Sequence, residues 1–179
     1  VKTPMDYNLA IEIAKDIISV PNCEVLLSGE KTAYIMPKTE EYLIRMTKVV
    51  QYKTTIIKSL DEIQEDILKV SVCDLSGIAN SEKYFADKWS DKAAAAVSGD
   101  QYMDFMDLCV SKGDALKKVQ KIYGIYRSEC MAFGDNYNDC EMLKQAEFSY
   151  AMASAADDIK KNALYVTDSV EKILRGELL

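Results

Sequence analysis

Apolar residues recur at helical spacing from the start of the chain. Leu9, Ile13, Ile17 and Val20 share one face of a helix predicted over 7–20, which Pro21-Asn22 stops. Two short apolar runs, Cys23 to Leu27 and Thr32 to Met36, flank Ser28-Gly29-Glu30 and predict a hairpin. Helical patterns follow over 40–50 and 59–64, the second opening on Ser59 as N-cap with Asp61 and Glu62 behind it. Ile67 to Cys73 alternates as a strand, and Ser81 to Trp89 returns to helical spacing. Ala93 to Val97 and Tyr102 to Leu108 predict two strands around Gly99-Asp100. This order, αββααβαββ, predicts an antiparallel sheet covered on one face by helices. From about Ser111 the pattern becomes helix, strand, helix, strand, helix, as a parallel sheet requires. The change of pattern predicts two domains, 1–109 and 110–179, in an α/β protein without internal repeats.

The second half holds the chemically densest stretch. A short apolar run, Cys130 to Phe133, ends in Gly134, and Asp135-Asn136-Tyr137-Asn138-Asp139 follows at once. That is a buried strand delivering polar side chains into the loop at its C-terminal end, where open α/β sheets place their sites. Two carboxylates and two carboxamides suit a hard cation such as Mg²⁺. Upstream, Ser111-Lys112-Gly113-Asp114 sets a lysine at a helix start. A cation, a helix N-terminus and an acidic loop together describe a phosphate site. Plainer readings exist for each residue: Gly-Asp-Asn and Asn-Asp are turn formers, Asp139 is a serviceable helix cap, and Lys112 fits a solvated first turn.

Lys112-Gly113-x-Ala115-Leu116, Phe133-Gly134-Asp135-Asn136-x-Asn138-Asp139, Met142-Leu143-Lys144 and Ala151-Met152 fall in an order that resembles the haloacid dehalogenase-like (HAD) phosphohydrolase superfamily, its Cof-type sugar-phosphatase branch in particular. The resemblance implies a Rossmann-like catalytic core, here its C-terminal part, and an α+β cap corresponding to 1–109. It implies a Mg²⁺-dependent phosphatase acting on a small phosphorylated metabolite through an aspartyl-phosphate. Lys112 would balance charge on the nucleophile and phosphoryl group, Asp135 would ligate Mg²⁺, Asn138 would orient the phosphate, and Asp139 would support the metal from its second shell. Family members open on a strand ending in Asp-x-Asp-Gly-Thr, whose first Asp is the nucleophile, and no Asp-x-Asp occurs in this chain. Where the family often has Met-Gly-Asn-Ala, this chain reads Met152-Ala153-Ser154-Ala155. The expectation is therefore a chain truncated at its N-terminus and inactive alone, prone to self-association through an exposed core strand near Cys130 to Phe133. The competing expectation is a non-catalytic homologue that binds a phosphosugar or a protein.

Composition narrows the classes further. The chain has 179 residues, 49% hydrophobic, with a net charge of −7, which argues against nucleic acid or an anionic membrane as partner. With no histidine, a Ser-His-Asp triad and His-liganded zinc are excluded. Five cysteines without Cys-x-x-Cys spacing predict reduced thiols and a cytoplasmic protein. No apolar run is long enough to span a bilayer. The aromatics Tyr84 and Trp89 are expected to pack rather than to stack on a substrate.

Overall fold

The structure, a computed structural model, describes residues 2–51 and 53–177. The described chain divides into two units, Lys2–Cys109 and the remainder from Val110.

In the first unit the elements are α1 (Tyr7–Ser19), β1 (Cys23–Gly29), β2 (Ala33–Ile35), α2 (Glu40–Ile44), β3 (Thr54–Ile56), β4 (Ile67–Asp74), α3 (Glu82–Trp89), β5 (Ala94–Gly99) and β6 (Tyr102–Met106). Asp6 caps α1 by accepting from the Leu9 N–H at 2.9 Å, and Ala10, Ile13, Ala14 and Ile17 bury its apolar face. The six strands form one sheet in the order β3-β2-β1-β4-β6-β5. Val25, Leu27, Val70, Val72, Met103 and Phe105 alternate toward α1 and α3 to make the main core. Asp16 ties these two helices: it accepts from Trp89 Nε1 at 2.8 Å and from the Tyr84 hydroxyl at 2.9 Å. Trp89 is buried and serves packing, whereas Tyr84 stays exposed and serves the tie to Asp16.

Three details differ from the sequence expectation. The sheet is mixed, because β2 pairs β3 in parallel while its other pairings are antiparallel. β3 is only three residues long, too short for its alternation to show. Helices cover both faces, since α2 packs Tyr42 onto a second cluster with Leu26, Ile35 and Cys73, and Met46 from the following turn joins it. The helix expected over 59–64 is a single 3₁₀ turn, Leu60–Glu62. Its Ser59 cap forms as expected, but Leu60 and Ile63 are drawn into the main core and Ile63 is already extended.

The second unit runs α4 (Lys112–Tyr123), β7 (Met131–Gly134), α5 (Cys140–Gln145), β8 (Phe148–Met152), α6 (Asp157–Lys160), β9 (Tyr165–Thr167) and α7 (Val170–Leu174). Its strands are parallel in the order β7-β8-β9. Short β9 is a further strand the pattern did not reveal. Ala132, Leu143 and Ala146 form a small core with Leu116 of α4. On the other face Phe133, Tyr150 and Tyr165 are register partners whose rings stack at 5.1 Å spacing. Parallel strands bring the C-terminal ends of β7 and β8 to one side, where the polar loop begins.

Candidate active site in the second unit

Two glycines decide how this site assembles. A Cβ at Gly113 would stand 2.7 to 2.9 Å from Cβ, C and O of Glu141, so only glycine lets the first turn of α4 touch the first turn of α5. A Cβ at Gly134 would lie 2.5 Å from Asp139 Cβ, so the end of β7 stays bare for the loop to fold back on it. Ser111 caps α4 by accepting from the Asp114 N–H at 3.0 Å. Lys112, the first helical residue, is thereby aimed at the loop.

Asp139 is the centre of the arrangement, at 3% exposure in a polar loop. Its Oδ1 accepts from Lys112 Nζ. Its Oδ2 accepts from the backbone N–H groups of Asp135 at 3.0 Å and Asn136 at 3.1 Å. Burial pushes the Asp139 carboxyl up, but the Lys112 bond and the two backbone donors outweigh it and hold it below the ordinary value of 3.8. Lys112 Nζ also stands 3.5 Å from Asn138 Oδ1. The lysine side chain remains half-exposed, so its remaining donors face solvent. Asp135 is exposed at the end of β7. Among the described residues no hydrogen bond or ion pair engages its carboxylate.

Lys112, Asn138 and Asp139 come together, with Asp135 beside them through its backbone. Asn136 is a turn residue whose side chain accepts from the Tyr137 N–H at 2.8 Å. Tyr137 reaches away, donating to Asp158 of α6 at 2.9 Å, and that bond raises its phenol's pKa. The tie to Asp158 carries no sequence signal, because a lone Tyr and a helix-start Asp 21 positions apart are unremarkable. Oxygen donors here match Mg²⁺ in kind. Among the described residues, however, no three acidic, cysteine or histidine side chains converge as a metal site. Both Asp139 oxygens are already taken by protein donors.

Residues 1–173 match the family of haloacid dehalogenase-like hydrolases. The chain is 26% identical over 176 residues to the 5-amino-6-(5-phospho-D-ribitylamino)uracil phosphatase of Escherichia coli (strain K12), covering 92% of this chain and 65% of that protein. A Bacillus subtilis (strain 168) phosphatase of the same description is 35% identical over 82 residues, 46% of this chain and 29% of that one. A solved structure from Streptococcus mutans matches with a TM-score of 0.79 at 26% identity, covering 99% of this chain and 70% of that chain. A HAD subclass IIB sugar phosphatase matches at 0.78 and 16% identity, over 98% and 68% of the two chains, a likeness of fold alone. This chain thus spans 65% of the length of the Escherichia coli relative and 70% of the Streptococcus mutans one.

Proposed function

Because this chain belongs to the haloacid dehalogenase-like hydrolase family, we propose that it serves a Mg²⁺-dependent phosphatase acting on monoesters of small phosphorylated metabolites, sugar phosphates among them. The observation that carries this reading is the Lys112–Asp139 pair at the end of β7, with the unengaged Asp135 carboxylate beside it. In this reading residues 1–109 are the cap that selects substrate, and residues 110–179 are the C-terminal part of the catalytic core. The five free thiols suit a reducing compartment, the cytoplasm.

Each residue then has a task set by its surroundings. Lys112 offers its uncommitted N–H groups to a phosphate oxygen and brings positive charge to a chain of net −7. Asn138, adjacent to it, offers a carboxamide to orient the same group. Asp139 is a positioning residue: it holds the lysine with one oxygen and the loop backbone with the other. Asp135 would hold Mg²⁺, which when bound offsets phosphate charge. One free carboxylate by itself leaves an octahedral shell incomplete. No Asp-x-Asp pair occurs in the chain, and nucleophilic attack is assigned to none of its residues. We therefore propose that these 179 residues do not turn over alone.

The test fuses a family segment bearing Asp-x-Asp-Gly-Thr ahead of the chain. Phosphate release is then measured from a sugar-phosphate panel that includes 5-amino-6-(5-phospho-D-ribitylamino)uracil. Activity should require the added segment, and Lys112→Met or Asp135→Ala should each cut kcat/KM by roughly 10²-fold or more. Activity that survives Lys112→Met would overturn the assignment. Saturable, Mg²⁺-independent phosphosugar binding without turnover would instead favour a binding module.

A further inference from the structure

Among the side-chain nitrogen and oxygen atoms of the described residues, one is buried without a hydrogen-bond partner: Nε of Arg45. Arg45 belongs to the first unit, far in sequence from the residues assigned above. It opens a π turn, Arg45–Val49, that continues α2, and the Val50 N–H closes this turn on the Arg45 carbonyl at 2.9 Å. Such widened turns are uncommon and occur frequently at functional sites. The guanidinium lies against the Tyr102 ring, its Cζ 5.7 Å from the centroid, and borders a cavity of about 450 Å³.

The charge pattern around Arg45 is unusual for an acidic chain. The other two arginines are ion-paired, Arg127 with Glu147 at 3.8 Å and Arg175 with Glu171 at 2.7 Å. Arg45 has no carboxylate within ion-pair distance among the described residues, although Asp100 lines the same cavity. Neighbouring polar groups are spent on the fold: Gln101 Nε2 donates to the Leu75 carbonyl at 2.6 Å, and the Ser76 hydroxyl donates to Asp74 at 2.5 Å. Gly77 and Gly99 leave two parts of the wall without side chains. The cavity is therefore bordered by a planar cation that an aromatic ring backs and no carboxylate pairs, while its Nε–H, shielded from solvent, stays without a partner. A guanidinium without a counter-ion favours an oxyanion, which matches its fork in geometry.

We propose that this cavity binds the oxyanion end of a small anionic metabolite, a phosphate or a carboxylate, through the Arg45 guanidinium. All eight residues that line the cavity belong to the first unit, so its occupation does not require the Lys112 site. Its test follows arginine Nε–H signals by ¹⁵N–¹H NMR in the whole chain, titrated with inorganic phosphate and separately with citrate. Arg127→Lys and Arg175→Lys assign the Arg45 signal by elimination, so the readout survives even if an Arg45 variant folds poorly. The Arg45 signal should shift saturably in roughly the millimolar range or tighter. Arg45→Lys, with its amide spectrum otherwise retained, should weaken binding about tenfold or more, since lysine lacks the fork. Preference for one probe would identify which oxyanion source the site takes. An Arg45 signal that neither anion moves, or a shift abolished by Lys112→Met, would overturn the proposal.

Discussion

At the scale of single residues, Asp139 holds the most consequential position in the second unit. It is buried, and its partners are two backbone N–H groups of its own loop and a lysine 27 positions back at the start of α4. Replacing it with alanine strands those donors, and the cost should be about 1–3 kcal/mol in denaturant titration. The sign of its pH dependence follows from its lowered pKa. The folded-state value lies below the ordinary 3.8, so the stabilisation is complete above that value and is lost as pH falls through the folded one. The stability gap between wild type and Asp139→Asn should therefore be full at neutral pH and close below about pH 4. A gap independent of pH would show that the carboxylate's charge is not what matters. Lys112 and Asp139 stood out in the sequence as a helix-start cation and an acidic loop, and the family resemblance added Asn138; the structure brings the three side chains together. Arg45 did not stand out: an arginine after Tyr42-Leu43-Ile44 looks like any helix-surface cation until the fold lays it along the Tyr102 ring at the border of an open cavity.

Among elements, the contact between α4 and α5 sets the geometry of the site. Gly113→Ala places a methyl within 3 Å of the Glu141 backbone, and backbone cannot yield as a side-chain tip can. The substitution should lower stability by about 1–3 kcal/mol as an overpacked contact. It should also move the Lys112 and Asp139 resonances together, because Lys112 opens α4 and Asp139 immediately precedes α5, the two helices that must move apart. Loss of stability without any change at Lys112 would argue that the two helices merely abut. Elements with clear periodicity, such as α1, β1, β4 and α3, were readable from the apolar pattern because their burial is one-sided or continuous. Three-residue β3 and β9 were not, since so short a run shows no period. The turn at Leu60–Glu62 escaped for another reason. Its cap favours a helix locally, while burial of Leu60 and Ile63 pulls the chain straight, and tertiary burial outweighs one cap.

For the whole molecule, the second unit has an open sheet edge. β7 pairs with β8 alone among the described residues, and its first residue, Met131, is 44% exposed. Unpaired strand amides beside apolar side chains favour edge-to-edge association. We expect concentration-dependent oligomers in sedimentation velocity, and Met131→Lys should shift the distribution toward monomer by charging the edge. A monomer at every concentration would refute the idea that this edge drives assembly. The described residues contain no helix long and apolar enough to cross a membrane.

The chain's own pattern was enough for the α/β class, the change from one sheet type to another near residue 110, and the polar loop after β7. All three rest on short-range periodicity and on residue types that few chemistries require. Tertiary structure alone decided the parallel β2–β3 pairing and the second helical layer over the first sheet. It alone left Asp139 saturated by protein donors while Asp135 stays unengaged, and it alone enclosed Arg45 Nε beside a cavity. Those outcomes depend on which side chains meet across long sequence distances. Burial and the pairing of polar groups are settled there, and no local spacing records them.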